Sequence, residues 1–469
     1  MNRRVAIVAF LFAWTLATHG KYSVSGDEPH YLMITQSVVA DHDLDLDNNY
    51  AGNDGRLFGR DGLEMGPHAT RDRQGHLESV HDVGLPWLLV PAYVAARSVA
   101  EATSPALLAR FRMDRGLFAY SLIGLMLIAI TSIGMGLLAH AVVHHTGRRD
   151  TALLVGAAAI SPPVVSHAFL VFPEVISLFM TSVVVWYAIE RRRHGRAATF
   201  YAIVAALGFL PWVHRKYTMF VVGLVFVIIL ARRDQVRELS PRQRVVAAAL
   251  FVLPIAALFV WTWNRWGTLG GPQMLERLPF SAQSLQNGLA GLVIDRQSGL
   301  LSYAPIYWIV PASWILTWRR TWPLLLPALL LYVPMAAFVE WWAGFAPAAR
   351  YVTPIVPLCL VAMADAMRYR IVRVALVALA VPQILIDAVV WQHPRTLWAA
   401  GVTNPALESL GVVGRGYEAM LPAIRVEQLS AAALWTVCGA VAATALLVAA
   451  ALQTRTASQI DGLTNQLRG

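Results

Sequence analysis

Long uninterrupted apolar runs constrain this chain more than any other feature. Leu117–Leu138 and Ala431–Leu452 contain almost nothing charged, and each is long enough to cross a bilayer as a helix. Phe220–Leu230 is a shorter run of the same kind. Of 469 residues, 57% are hydrophobic and 14% charged, with mean hydropathy +0.53, against roughly 25% charged in a soluble domain. A soluble chain would have to hide that surface in two or three cores, and the length of the runs excludes it. The reading is an all-α, polytopic transmembrane helical protein.

The net charge of +10 raises a nucleic-acid partner, but its distribution argues against one. Lys21 and Lys216 are the only lysines, and the arginines sit in short clusters between apolar runs, where they set membrane orientation. Cys359 and Cys438 both lie in apolar runs, so no disulfide framework or thiol metal site is expected. Val5–Ala17 follows Arg3-Arg4 in the manner of a signal peptide, but no small-residue cleavage site follows it cleanly, so a retained first helix is expected.

The basic clusters are Arg3-Arg4, Arg148-Arg149, Arg191–Arg193 with Arg196, Arg232 through Arg244, Arg319-Arg320, Arg368/Arg370/Arg373 and a weak tail with Arg455 and Arg468. If all face the cytoplasm, an even number of spans separates each neighbouring pair. Two spans fit between Arg149 and Arg191, broken at Ser161-Pro162-Pro163, and two shorter ones between Arg196 and Arg232, broken at residues 211–216. Continuing in this way predicts about twelve spans with both termini inside. Gly84–Val99 breaks the parity if counted, is short, and holds Pro86 and Pro91. It is expected to lie in the outer interface with Trp87 and Tyr93 as interfacial aromatics. Residues 21–114 then form one external loop, rich in acids and too long to lack a role.

Just past the first span stands Ser25-Gly26-Asp27-Glu28-Pro29-His30-Tyr31. Pro29 suits the first turn of a helix, which Ser25 or Asp27 can cap. A carboxylate there meets free backbone N–H groups and the positive end of the helix dipole, so it stays ionised, as a general base must. His30 falls on roughly the same face. On spacing alone, plain capping and a base stand equal. Asp43, Asp45 and Asp47, with Asp54 beyond, are spaced like a calcium loop but lack its glycine and terminal glutamate; a solvated turn is the better reading and a bound divalent cation the lesser one. His81 with Asp82 either binds a sugar or phosphate or caps the helix that follows. His140, His144 and His145 read as a polar helix end. Glu174, near a span end, needs a partner, a pocket or an interfacial position.

Asp27-Glu28 after a first transmembrane helix resembles the acidic motif of the GT-C glycosyltransferases, multi-spanning enzymes that take a sugar from a polyprenyl-phosphate carrier. Ser79-Val80-His81-Asp82-Val83-Gly84-Leu85-Pro86-Trp87 resembles the H-x-x-G-L-P segment of the protein-mannosyltransferase-like and aminoarabinose-transferase-like branch. Phe172-Pro173-Glu174, residues 295–301, and Glu340-Trp341-Trp342 followed by Arg350-Tyr351-Val352-Thr353-Pro354 are similar to that branch as well. The resemblance covers residues 20–360, so 1–370 is expected to form the catalytic module and 371–469 a variable C-terminal membrane region.

The resemblance implies inverting transfer at the periplasmic face of a bacterial inner membrane. Asp27 is the implied base, and Glu28 orients it or binds acceptor or sugar. The leaving group is a lipid phosphate, so fixed cations at the outer face lower the barrier. Arg350 is the first choice, being able to grip phosphate with two N–H groups, and His214, Arg215 and Lys216 form a second basic cluster. The plain alternative for these is an interfacial anchor snorkelling to headgroups. His30, His81, Asp82, Glu174 and Tyr351 are the expected substrate contacts. The acceptor is a protein, a glycolipid or a polysaccharide; no cofactor is firmly implied. A secondary transporter or lipid flippase competes, as does a scaffold subunit, but here the acids crowd an external loop and the intramembrane Asp365 and Asp387 fall toward span ends.

Overall fold

The computed structural model describes all residues except 21, 191–196, 273–279, 399–402, 429 and 469, and no side chains at 431–433 or 454–468. Lys21 and the cluster at Arg191–Arg193 and Arg196 lie outside the described residues, as do the side chains of Arg455 and Arg468. The helices that build the bundle are α1 (Arg3–Gly20), α2 (Glu28–Ala40), α3 (Gly84–Ala102), α4 (Arg115–Thr146), α5 (Thr151–Ile160), α6 (Pro173–Ile189), α7 (Ala197–Val213), α8 (Thr218–Ala231), α9 (Pro241–Trp266), α10 (Val310–Ala337), α11 (Val356–Ala366), α12 (Arg370–Gln392) and α13 (Ala431–Arg468).

Helix α4 is the central post, with 32 residues and a length of about 48 Å. Helix α1 buries Val5, Ala9, Ala13 and Leu16, a stripe at helical spacing. It meets α4 where Gly136 leaves room for the Ala6 methyl and accepts a hydrogen bond from the Asn2 N–H at 2.8 Å. The same device recurs at Gly208 of α7 against the α9 backbone and at Gly223 of α8 against Pro327 of α10. Small residues let apolar helices approach closely in lipid, where no hydrophobic force drives them together.

Five described stretches are long and apolar enough to cross a membrane by themselves: Arg115–Thr146, Pro241–Trp266, Pro305–Ala337, Arg370–Gln392 and Leu434–Gln453. Only the first is mostly buried. The others turn residues such as Leu253, Val260, Trp318, Val377 and Leu446 outward, a surface suited to hydrocarbon and not to water. The remaining apolar helices are shorter because proline and polar residues end them early. Helix α5 stops at Ser161, whose backbone turns extended before Pro162, as steric conflict with a following proline demands.

The two ends of the bundle differ in charge. At one end Arg232 Nε donates to the Tyr187 carbonyl at 3.0 Å, His140 meets Glu190 at 3.3 Å, and Arg320 pairs with Asp365 at 3.1 Å. The acidic 21–114 loop covers the other end, where Gly116 at the start of α4 packs on the Arg56 carbonyl.

Within that loop the structure departs from an all-helical reading. Strands β1 (Ala69–Arg71) and β2 (Leu77–Ser79) pair antiparallel, with Thr70 opposite Glu78. Asp72 closes the turn by accepting from the N–H groups of Gln74 (2.8 Å) and His76 (3.0 Å). Three-residue strands give no usable alternation, so the sequence pattern carried no trace of them. Arg265 at the end of α9 ties down the hairpin, meeting Asp72 at 3.1 Å and also Glu78. Burial pushes the Glu78 carboxyl up to about 7 although Arg265 opposes it.

Helix α3 begins where expected and runs slightly longer. Its apolar outer face carries Trp87, Leu88, Val94 and Val99, while Leu85, Leu89 and Ala96 pack inward. Tyr93 is a correction: it is not an interfacial aromatic but is 1% exposed, its hydroxyl donating to Gln36 Oε1 at 2.8 Å. Ser37, Asp43 and Asp45 form a hydrogen-bonded turn, with Asp43 Oδ1 accepting from the Ser37 hydroxyl at 2.8 Å, and Asp47 pairs with Arg71 at 2.9 Å. Residues beyond 370 are stitched into the bundle, Tyr22 donating to the Pro394 carbonyl at 2.8 Å and Ser161 to Asp387 at 2.6 Å. Cys359 and Cys438 are both free.

Candidate active site

A cleft of about 560 Å³ opens at the acidic-loop end, with Asp27, His68, His81, Lys216, Arg350 and Tyr351 among its walls. Asp27 stands at the start of α2 but does not cap it with its side chain, so of the two readings that spacing left equal, plain capping fails. The cause is a stronger partner: Arg350 NH1 donates to Asp27 Oδ2 at 2.8 Å, and a charged donor outcompetes a backbone N–H. Burial pulls the Asp27 carboxyl up, but the Arg350 guanidinium outweighs it and holds the group well below the usual carboxylate range. The side chain is 25% exposed, so it is ionised and reachable.

From Arg350 a chain of opposite charges runs inward. Its Nε donates to Glu174 Oε1 at 3.2 Å, and the same oxygen accepts from Lys216 Nζ at 2.5 Å. The guanidinium lies 4.0 Å over the Phe172 ring, and Lys216 Nζ lies 4.7 Å from the Tyr351 centroid. Glu174 thus has partners and a buried position in the first turn of α6, which disposes of the interfacial alternative. Arg350, with a side chain 6% exposed, is no snorkelling anchor. Burial lowers the Lys216 ammonium to about 8 although Glu174 opposes it.

Lys216 reaches the cleft because α7 ends at Val213 and the chain turns extended at His214. The His214 ring then accepts from the Lys216 N–H at 3.3 Å, capping the short turn Arg215–Tyr217. Asp82 holds this turn from the opposite side, accepting from the Arg215 backbone N–H at 2.8 Å and from Arg215 Nε at 2.9 Å. His214 lies 3.6 Å from the same carboxylate. Asp82 therefore positions the basic turn and does not stand free for substrate. Arg215 NH1 is buried and finds no hydrogen-bond partner among the described residues.

Glu28 turns away from the cleft. It is fully buried, accepting from the Tyr120 hydroxyl at 2.8 Å, the Val171 N–H at 2.8 Å and the Ser25 N–H at 3.2 Å. Burial raises its carboxyl to about 7 despite these donors. It fixes the Asp27 backbone to α4 and to the segment before α6. His30 also sits behind the wall, with Nδ1 2.8 Å from the Tyr50 hydroxyl and its ring stacked on His68 at 3.9 Å. It shares a second hollow, of about 480 Å³, with Ser25, Arg60, Glu64 and His68.

Two residues were not singled out from the sequence. His68 follows Gly66-Pro67 in an irregular stretch, and only the β1–β2 pairing brings it beside His81, with Nδ1 and Nε2 3.1 Å apart. Its Nδ1 is 4.0 Å from Asp27 Oδ1. Burial lowers His68, His81 (to about 4) and His30 (to about 3), leaving neutral imidazoles at neutral pH. Glu340, quoted above within a motif, lines the cleft too. The rest of the wall is apolar, with Met219, Phe259, Leu269, Phe280, Met335 and Phe338. A third cavity, of about 520 Å³, lies at the opposite end beside His144, Arg232 and Arg320, with no carboxylate among its described lining residues.

No family model matches the sequence, and a comparison with curated proteins finds no match. Among solved structures the chain is similar to ArnT from Cupriavidus metallidurans, in a crystal structure bound to undecaprenyl phosphate (TM-score 0.49, 14% identity) and in one of the apo state (TM-score 0.44, 15% identity). Each likeness covers 97% of this chain and 78% of the other.

Proposed function

We propose that this chain is an integral membrane glycosyltransferase that moves a sugar from a polyprenyl-phosphate carrier to an acceptor hydroxyl, with inversion, at the periplasmic face of a bacterial inner membrane. One observation carries the reading: an ionised, partly exposed Asp27 shares a cleft with Arg350, Lys216 and Arg215, beside a wall of apolar side chains. A general base, an anion site and a lipid-compatible surface are what transfer from a lipid phosphate needs. In this reading the acceptor oxygen attacks the anomeric carbon, its proton passes to Asp27, and the bond from that carbon to the phosphate oxygen breaks. The electron pair leaves with the polyprenyl phosphate, whose charge Lys216 and Arg350 stabilise. Glu28 serves as a positioning residue for Asp27, Asp82 for the basic turn, and His81 and Tyr351 face the sugar. The chain would cross the bilayer about twelve times, short broken helices supplementing the long ones, with 1–370 as the catalytic module.

The purified protein incubated with undecaprenyl-phosphate sugars should release undecaprenyl phosphate when an acceptor is present. Asp27→Asn should cut that rate by about 10²–10⁴-fold while leaving the protein folded. Carrier movement across a vesicle membrane without bond cleavage, unaffected by Asp27→Asn, would instead make the protein a flippase.

A further inference from the structure

The cations that face the cleft are outnumbered by the carboxylates that line it or pair with them. Of the described charged side chains that line it or pair with one that does, Arg215, Lys216 and Arg350 are cations. Asp27 and Glu340 line it as anions, and Asp82 and Glu174 pair with the cations from behind. Counting carboxylates against guanidinium and ammonium groups alone, one negative charge is left over. A phosphodiester carries a negative charge of its own, so it would enter an already negative pocket.

Three groups on one wall are placed to correct this. One atom each of Asp27, His68 and His81 lie within 4.8 Å of one another. The His68 Nδ1 and His81 Nε2 separation of 3.1 Å is close to the roughly 3.4 Å between ligands on a tetrahedral ion with bonds of about 2.1 Å. Asp27 Oδ1 lies 4.0 Å from His68 Nδ1 and within 4.8 Å of the His81 ligand nitrogen, so its side chain must move in by about an ångström to complete the triangle on the same bond lengths. All three line the cleft, so the open side of the triangle faces the ligand space. The ligands are also held from behind. His30 stacks on the His68 ring, Tyr31 lies against His81 at 4.8 Å, and Arg350 grips the other oxygen of Asp27, the outer support that metal ligands need.

We infer that Asp27, His68 and His81 bind one divalent first-row metal ion, with Zn²⁺ as the natural fit, whose open coordination position faces the donor phosphate. Two imidazoles and a carboxylate with an open position suit such an ion better than Mg²⁺ or Ca²⁺. The ion turns the surplus negative charge positive, and a phosphate then neutralises it. A carboxylate has about four lone-pair sites, so Asp27 can hold the ion through Oδ1 while Oδ2 keeps its bond from Arg350. The role at the phosphate rests on the transferase reading; the binding of the ion does not.

The test uses the full chain, without a polyhistidine tag, in lipid nanodiscs stripped by chelator. After dialysis against Zn²⁺ it should retain one zinc per chain, and Co²⁺ should give the d–d absorption of a histidine-ligated site. His68→Gln and His81→Gln should each weaken binding by about tenfold or more, since losing even outer-shell support costs that much; His140→Gln, at the opposite end, should not. Zn²⁺ should raise the Tm of the wild type and leave that of His68→Gln unmoved, which separates loss of the ligand from misfolding. Zinc should also tighten binding of undecaprenyl phosphate, used as the lipid probe, by about tenfold in the wild type alone, equivalent to ~1.4 kcal/mol. Absence of stoichiometric metal in the wild type, or equal metal in wild type and both variants, overturns the site. None of these readouts requires sugar transfer, so a metal-binding protein that transfers nothing would refute the function and leave the metal site standing.

Discussion

Asp27 and Glu28 are adjacent carboxylates driven to opposite protonation behaviour by their surroundings. Asp27 stays ionised against Arg350, whereas burial raises Glu28 to about 7. A carboxyl whose folded pKa lies above its unfolded value contributes stability that is fully present below the unfolded pKa and lost as pH rises through the folded one. The wild-type protein should therefore lose up to about 3 kcal/mol from this group between pH 4.5 and 7. Glu28→Gln should be less stable by about 1–3 kcal/mol at pH 4.5, because its amide N–H groups confront donors, and should show no such step. Thermal unfolding across that range, with the same slope in both proteins, would refute this. Lys216, lowered to about 8, loses its charge at mildly alkaline pH. Donor kcat/KM should fall above about pH 8, and Lys216→Arg should flatten that limb because guanidinium stays charged; an alkaline limb persisting in the variant would assign it to another group. Asp27 stood out in the sequence by its place at a helix start, whereas Arg350 and Lys216 were singled out only through what the family resemblance implied, since a charge beside an apolar run reads equally well as an interfacial anchor. His68 was not singled out at all, since nothing local distinguishes it from any loop histidine and its importance comes from a partner 13 positions away.

At the level of elements, the apolar runs announced most of the helices, and Gly84–Val99 was recognisable as one before the structure showed α3. What periodicity could not supply was which face α3 buries: Tyr93 looked like an interface residue and proved to be a core one, because its partner Gln36 belongs to α2. Nor could it supply the reason for Gly84. A Cβ there would stand 2.3 Å from the Trp212 carbonyl carbon and 2.5 Å from the Val213 nitrogen, backbone atoms that cannot swing aside. Those residues lead directly into His214–Lys216. Gly84→Ala should thus cost about 1–3 kcal/mol by overpacking and weaken donor binding by displacing the basic turn. Gly156→Ala, inside α5 where the nearest atom is Val5 Cγ2 at 3.9 Å, is the matched control: it should not lower Tm, alanine being the better helix former, and should leave binding unchanged. A Gly84→Ala protein with wild-type Tm and donor affinity would show that the contact between α3 and α7 does not position the site.

For the whole molecule, the asymmetry of charge predicts an orientation. Arg232, Arg320 and Arg368 gather at one end with partners Tyr187, Glu190 and Asp365, and the exposed Arg233 and Arg237 lie in the short turn after α8. The opposite end carries the acidic loop and the cleft. Basic turns stay on the cytoplasmic side during insertion while acids have little influence, so the cleft should open outward. In a Cys359→Ala, Cys438→Ser background, Glu64→Cys should react with a membrane-impermeant maleimide on intact spheroplasts, and Arg237→Cys only after lysis. The two positions bracket the bundle, so the pair also tests its parity: an odd number of crossings between residues 64 and 237 puts them on opposite sides, and an even number puts them together. Labelling of both positions from outside would break the span count while leaving the cleft outward. The reversed pattern would place the cleft in the cytoplasm, where a carrier lipid delivering sugars to the periplasm could not meet it.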